Sequence, residues 1–228
     1  MTAVRVAVLA TGGKDSTLAL YHVLQEGYEV ERLAAIVPLR EDSWMFHYPN
    51  IRLVDLFAEA VGIPLVKAES SGVQNEELED LKRLIEKLDV EGIVSGAIAS
   101  SYQKSKLDEI CKKLGLKSIT PLWHRDPLEI LNEMLKLKLE VIITGVYAHG
   151  FIVDWLGKKI DKDAVETLKT LNSLYGVSLV GEGGEYETLV LDAPFFKKRI
   201  KIVSAEKIWK RQSGHFLITK AKLENKKT

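Results

Sequence analysis

At 228 residues, with 46% hydrophobic and 28% charged side chains, the chain is long enough for one large α/β domain or for a domain with a smaller appendage, and its composition is that of an ordinary soluble globular protein. No apolar run reaches the length of a transmembrane helix and no basic-then-apolar leader opens the chain, so no membrane partner and cytoplasmic residence are the default expectations. Lysine plus arginine equals aspartate plus glutamate at 32 each, a balance that argues against broad nucleic-acid binding, and the basic run Lys220-Ala221-Lys222 with Lys226-Lys227 reads as a solvated, fraying terminus.

The first element is a buried strand, Val4-Arg5-Val6-Ala7-Val8-Leu9-Ala10, rich in β-branched residues and suited to the centre of a parallel sheet. The turn Thr11-Gly12-Gly13-Lys14-Asp15-Ser16 follows, and then Thr17-Leu18-Ala19-Leu20-Tyr21-His22-Val23-Leu24 carries apolar residues at helical spacing. Two adjacent glycines permit backbone conformations that a Cβ forbids. A helix N-terminus offers unpaired N–H groups and a partial positive charge, so this strand–turn–helix suits an anion such as phosphate.

Strands and helices then alternate, the pattern of a doubly wound parallel sheet. Leu33-Ala34-Ala35-Ile36-Val37 is a second strand ended by Pro38. Asn50 is positioned to cap a helix over 51–61 that Gly62 stops. A third strand spans 65–68, an amphipathic helix 76–88 and a fourth strand 92–96. The helix over 107–114 places Leu107, Ile110, Cys111 and Leu114 on one face, so the single cysteine reads as an apolar core residue and not a nucleophile. A short strand near Ser118-Ile119 leads to Pro121-Leu122-Trp123. Asp126-Pro127 opens a helix to Leu137, with proline at its first position, and 141–146 is again a strand. After Asp161, which caps a helix to Leu174, strands at 178–180, 187–191, 199–203 and 216–219 follow with little helix between them. The expected division is a nucleotide-binding domain over 1–125 and a smaller α+β domain over 126–228.

The glycine turn matches neither of two common phosphate fingerprints. The P-loop needs Gly-x4-Gly-Lys-Ser/Thr, but Gly13-Lys14 is followed by Asp15 and Val8 stands five before Gly13. The dinucleotide motif needs a third glycine that is absent. In open α/β sheets ligands sit beyond the carboxyl ends of the strands. Besides this turn, Val37 with Pro38-Leu39 and the small-residue run Gly96-Ala97-Ile98-Ala99-Ser100 end there. A second constellation, Gly181-Glu182-Gly183-Gly184-Glu185-Tyr186-Glu187-Thr188, packs three carboxylates into eight residues. Like charges that close repel unless something neutralises them. Mg²⁺ accompanying a nucleotide would do so, and a solvated turn with its acids in water is the alternative.

The turn resembles that of the PP-loop ATP pyrophosphatases, usually Ser-Gly-Gly-x-Asp-Ser, with Thr11 in place of the first serine. Taken with the 181–188 run, its continuation Thr188-Leu189-Val190-Leu191-Asp192-Ala193-Pro194-Phe195-Phe196, the segment Ser43-Trp44-Met45-Phe46-His47-Tyr48-Pro49-Asn50, Ser95-Gly96-Ala97-Ile98 with Tyr102-Gln103, and Pro121-Leu122-Trp123, the chain resembles one branch of that superfamily, the diphthine–ammonia ligases, in their short, archaeal-type form. The resemblance implies a Rossmann-like fold of the adenine nucleotide alpha hydrolase kind. It implies that ATP and Mg²⁺ are used to adenylate the carboxylate of diphthine on translation elongation factor two. Ammonia, supplied as ammonium, then displaces AMP and leaves the amide, with pyrophosphate as the other product.

In that scheme Ala10, Thr11, Gly12, Gly13, Lys14, Asp15 and Ser16 hold the phosphates, Val37 meets adenine, and Gly96 and Ala97 meet the ribose and α-phosphate. Lys14 and Asp15 would take part in the chemistry, with Asp15 and Glu182 toward metal. Glu182, Glu185 and Glu187 would hold metal, ammonia or the acceptor's trimethylammonium, with Trp44, His47, Tyr48 and Tyr186 lining the acceptor, since carboxylates and aromatic faces both attract a quaternary ammonium. Trp123, His124, His149 and Asp192 stand as further candidates beside ordinary roles in packing and turn capping. A tRNA-modifying PP-loop enzyme, a non-catalytic ATP- or AMP-sensing module and an amide ligase for a small metabolite are the alternatives, and a homodimer is left open.

Overall fold

The first sheet is built from the alternating elements of the N-terminal half. A computed structural model describes residues 3–38, 50–71 and 74–226. Strand β1 (Arg5–Leu9) leads to helix α1 (Lys14–Gln25), β2 (Glu29–Pro38), a 3-10 turn (Ile51–Leu53), α2 (Val54–Val61), β3 (Leu65–Ser70), α3 (Gln74–Glu86), β4 (Gly92–Val94), α4 (Ser101–Leu114) and β5 (Lys117–Ile119). The five strands pair in parallel in the order β3-β2-β1-β4-β5. Ala7, Ala34, Ile36 and Ile93 pack on one side against Leu81, Leu84 and Ile85 of α3 and Leu107, Ile110 and Cys111 of α4. Val6, Val8, Leu33, Ala35 and Val94, the alternate set, are buried too, as a sheet covered on both faces requires. The order reverses between β1 and β4, which makes the crevice beyond their carboxyl ends the topological switch point.

The second unit is antiparallel. Helix α5 (Pro127–Lys136), β6 (Glu140–Val146), α6 (Lys162–Tyr175), β7 (Tyr186–Asp192), β8 (Lys198–Lys210) and β9 (Ser213–Asn225) follow, with a 3-10 turn at Val153–Trp155. The strands pair in the order β7-β6-β9-β8. Ile130, Leu131 and Met134 of α5, Val141 and Ile143 of β6 and Leu168 of α6 are among its fully buried residues. The division between the two compact units falls between Trp123 and His124.

Helix ends behave largely as the side chains dictate. Asp126 Oδ1 accepts from the backbone N–H groups of Leu128 and Glu129, both at 2.9 Å, and Asp161 Oδ1 accepts from that of Ala164 at 2.9 Å. Asp126→Ala is expected to cost about 1 kcal/mol of stability, the ordinary worth of an N-cap, readable as a small drop in melting temperature. Asn50 differs from expectation: a 3-10 turn intervenes before α2, and its side chain makes no capping bond there.

Two expectations are corrected. Residues 178–180 form a turn and not a strand, because backbone and side-chain bonds of the following glycine run hold them. The basic run at 220–222 is not a frayed terminus. It belongs to β9, where Lys222 pairs opposite Lys201 of β8, and Lys226 Nζ is bonded to Asp192 Oδ1 at 2.9 Å and to the Ala193 carbonyl. The opposed lysines, which would repel, share the Glu224 carboxylate at 2.9 and 3.3 Å.

Candidate functional site

The phosphate turn begins where β1 runs out. Ala10 is buried, and its N–H still donates to the Ala34 carbonyl at 2.8 Å, so the sheet fixes the point of departure. Gly12 then adopts φ +80°, a left-handed conformation that costs an L side chain about 1–2 kcal/mol. Gly13 is the N-cap residue of α1 and offers no side-chain cap. The hydroxyls knit the turn instead. Gly13 N–H donates to Thr11 Oγ1 at 3.3 Å, Ser16 Oγ donates to the Gly13 carbonyl at 3.1 Å and Thr17 Oγ1 to the same oxygen at 2.8 Å. The first-turn N–H groups of α1 thus meet no side-chain acceptor at the cap position, as an anion-binding helix start requires.

Lys14 is the electrostatic oddity of this turn. Its side chain is 2% exposed, and its ammonium lies 2.9 Å from Asp15 Oδ2. A buried cation at a helix N-terminus opposes the helix dipole. The Asp15 carboxylate offsets part of that cost, and a bound polyanion would offset it further. The 95–100 loop closes in from β4. A Cβ on Gly96 would lie 2.6 Å from the Asp15 carbonyl carbon and 2.7 Å from Ser16 N, so the close approach that needs glycine here is made by the protein's own backbone. Ala97 is buried and Val37 half-buried at the end of β2. Ser100 caps α4 through Gln103 N–H at 3.4 Å.

The second constellation is divided, not pooled. Glu185 turns inward and accepts from Ser178 N–H at 3.1 Å, so it secures its own loop. Tyr186, expected to line the acceptor, is corrected by its burial. It is 3% exposed, its ring packs edge-on to Phe151, and its hydroxyl donates to the Leu179 carbonyl at 2.6 Å. Glu187 lies on β7 and engages the Tyr147 hydroxyl, while Glu182 is half-buried. Among the described residues no three histidine, cysteine or acidic side chains gather to hold a metal ion. Trp44, His47 and Tyr48 lie outside the described residues.

Asp192 acts in the turn after β7, where Oδ1 accepts from Ala193 N–H at 2.9 Å. His149 stacks edge-on with Tyr175, centroids 4.8 Å apart, and the Trp123 ring lies under the Lys104 ammonium at 5.5 Å. Cys111 is buried, and burial followed by the nearby Asp108 charge pushes its thiol up to about 11, so it stays protonated and inert as expected.

Two residues absent from the sequence reading belong with Glu187. Gly145 on the central strand β6 pairs with Glu187 on one side and His215 of β9 on the other. Tyr147, two residues on, shares the face of Gly145, and its hydroxyl lies where a Cβ on Gly145 would be, 2.5 Å away. That hydroxyl is 3.0 Å from His215 Nδ1, and the two rings meet edge-on at 5.4 Å. Tyr147 as a whole is over a third exposed, but its hydroxyl lies against the backbone of Gly145. Desolvation there, then the Glu187 charge and hydrogen bond, raise its pKa far above the ordinary phenol value. The available signal was the Gly145-x-Tyr147 spacing on one strand face.

A parallel sheet in 3-2-1-4-5 order, with a hydroxyl-knit Thr-Gly-Gly-Lys-Asp-Ser turn at its switch point, defines a PP-loop-type nucleotide-binding unit joined to an antiparallel second unit. Both halves match known sequence families: the diphthamide synthase N-terminal domain over residues 4–118 and the diphthamide synthase C-terminal domain over 126–223. The chain belongs to the diphthamide synthase family. It is 37% identical to a diphthine–ammonia ligase of Bos taurus over 89% of this chain and 84% of that protein, and 36% identical to that of Homo sapiens with the same coverage. Against the Schizosaccharomyces pombe diphthine–ammonia ligase, 37% identical over 96% of this chain, it spans only 39% of the longer protein. A solved structure, the U34-tRNA thiolase NcsA of Methanococcus maripaludis, aligns over 81% of this chain and 72% of that one at a TM-score of 0.39 and 17% identity. No helix among the described residues is long and apolar enough to cross a membrane.

Proposed function

We propose that the chain is an ATP-dependent amide ligase that converts the diphthine carboxylate of translation elongation factor two to diphthamide with ammonium as nitrogen donor, releasing AMP and pyrophosphate. The observation that carries the ATP half is the buried Lys14 ammonium at the start of α1, beside an uncapped helix N-terminus at the switch point. Family membership supplies the acceptor half.

The residues present fit a triphosphate. The N–H groups of the first turn and the Thr11 and Ser16 hydroxyls can donate to phosphate oxygens, and Lys14 can neutralise the departing pyrophosphate. These are tasks of positioning and charge stabilisation. Val37 takes the adenine side, and Gly96 with Ala97 the ribose side, of the same crevice. Asp15 is the one carboxylate of the turn and suits Mg²⁺, which is bound by one or two carboxylates together with nucleotide phosphates. Mg²⁺ supplies charge neutralisation on the phosphate oxygens when bound. Of the second-unit carboxylates, Glu187 and Glu182 are assigned to ammonium and the acceptor, and Glu185 to the loop.

The test incubates the chain with ATP, Mg²⁺, ammonium and elongation factor two bearing diphthine, then measures the nucleotide product and the mass of the factor. AMP with an acid-to-amide mass change is expected. ADP as product would overturn the adenylation mechanism, and AMP without the mass change would overturn the acceptor.

A further inference from the structure

We infer that the outer part of the β8–β9 hairpin is a docking arm for the phosphate backbone of RNA. The zero net charge of the chain hides a division. Residues 197–226 hold ten lysines and arginines and two acids, Glu206 and Glu224, which leaves 22 basic against 30 acidic side chains elsewhere. The two strands run 13 residues each and lie within the second unit, so the inference needs no contact between the units.

Near the base of the hairpin the charge is answered within the fold. Arg199 lies 2.9 Å from Glu140, and Lys226 2.9 Å from Asp192. Further out, the directly opposed Lys201 and Lys222 divide one carboxylate, that of Glu224. Beyond them Lys207, Lys210, Arg211 and Lys220 are all exposed, and among the described residues none of the four has an ion-pair partner. At about 3.3 Å per residue, the cations from Lys201 to Lys210 are strung over about 30 Å. Arg211 stands at the tip with φ +55°, a conformation that glycine or asparagine ordinarily takes in a hairpin turn. Lysines on an edge strand also deter pairing with other sheets, and β8 is such an edge. That role asks for nothing at the tip, where Arg211 belongs to neither strand.

A row of unanswered cations selects an anion of matching form. Stable protein interfaces are organised around a buried aromatic or aliphatic centre, with charge at the rim. Among the described residues, Val203 is the one exposed large apolar side chain of the hairpin, while Ile208, Trp209, Phe216 and Leu217 are half-buried. An extended array of cations with little exposed apolar surface fits a linear polyanion, whose phosphates Lys and Arg meet without reading sequence. The proposed acceptor is a translation factor, which selects RNA over DNA. That choice alone rests on the ligase reading; the phosphate recognition does not.

The experiment measures binding of the intact chain, without ATP, to a fluorescently labelled single-stranded RNA of mixed sequence, by anisotropy from about 50 to about 200 mM KCl. With four phosphates neutralised, log affinity falls against log salt with a slope of about −3, an affinity loss of about fiftyfold over that range. The variant Lys207→Gln/Lys210→Gln/Arg211→Gly/Lys220→Gln is expected to lose most of that slope and to bind at low salt about tenfold more weakly or worse. It should melt no lower than the parent, since glycine suits the turn and the lysines hold no partner in the fold. Lys87→Gln/Lys117→Gln/Lys136→Gln/Lys162→Gln removes as much exposed charge elsewhere and should bind RNA like the parent. Equal weakening by the two variants would make the effect one of net charge and overturn the inference, as would no binding by the parent or an affinity indifferent to salt. Hairpin-dependent capture of diphthine-bearing elongation factor two without RNA binding would give the arm to an acidic protein surface, and tighter binding of the matching DNA would give it to DNA; either overturns the assignment to RNA. The measurement involves no turnover, so its failure and that of the ligase reading are separate events.

Discussion

Lys14→Met is expected to cut AMP formation about a hundredfold, the ordinary effect of removing one charge-stabilising group at a reacting centre, with only a modest drop in melting temperature. The two halves of this expectation have separate causes. The Lys14 ammonium is buried beside Asp15, where a cation is costly to keep dry. Methionine has similar length and no charge, but removing one member of an ion pair leaves the other charge uncompensated, which costs stability. Asp15 Oδ1 is itself buried, but about a third of the Asp15 side chain is exposed, so water takes up part of the charge and keeps that cost modest. The fold therefore tolerates the change and the phosphate site does not. AMP release and thermal unfolding measured on one preparation check both halves. Undiminished AMP formation would remove Lys14 from the phosphate machinery. A large loss of stability would instead make it a structural lysine.

The phosphate turn was legible in the sequence because its chemistry is local. Thr11 to Ser16 are consecutive, and the glycines, the hydroxyls and the lysine act on one another within one turn of chain. The first sheet was legible because its punctuation is explicit, with Gly62 and Gly115 closing α2 and α4 and Pro38 ending β2. The second unit was less so. Strands β8 and β9 each run 13 residues, whereas the apolar runs at 199–203 and 216–219 show only part of them. Beyond those runs the hairpin is largely exposed, so alternation fades, and register shifts around Ser204 break its period. The Glu187–Tyr147–His215 row was hidden for a deeper reason. It is assembled by pairing across three strands that are far apart in the chain, and no local pattern encodes which strand will lie beside which. The dense acidic run at 182–187 is contiguous in sequence, but Glu185 and Glu187 engage different partners.

Gly96→Ala is expected to lower the melting temperature by about 6–12 °C, from about 3 kcal/mol of overpacking at about 2–4 °C per kcal/mol for a chain of this size. The new Cβ would stand 2.6 Å from the Asp15 carbonyl carbon, 2.7 Å from its oxygen and 2.7 Å from Ser16 N. All three are backbone atoms, and those of Ser16 belong to a helix start that Gly13 and the sheet hold in place, so no side-chain end can swing away. Gly27→Ala is the control. Its surroundings are open within 4 Å, but its φ is +81°, so the substitution costs only the left-handed strain of about 1 kcal/mol. If steric approach governs Gly96, its variant melts well below the Gly27 variant. It also loses AMP formation at temperatures where it is still folded, because relieving the clash displaces the first turn of α1, whose N–H groups are proposed to bind the phosphates. Equal melting of the two variants would mean that the 95–100 loop yields freely, and the crevice between β1 and β4 would then not be set by this contact.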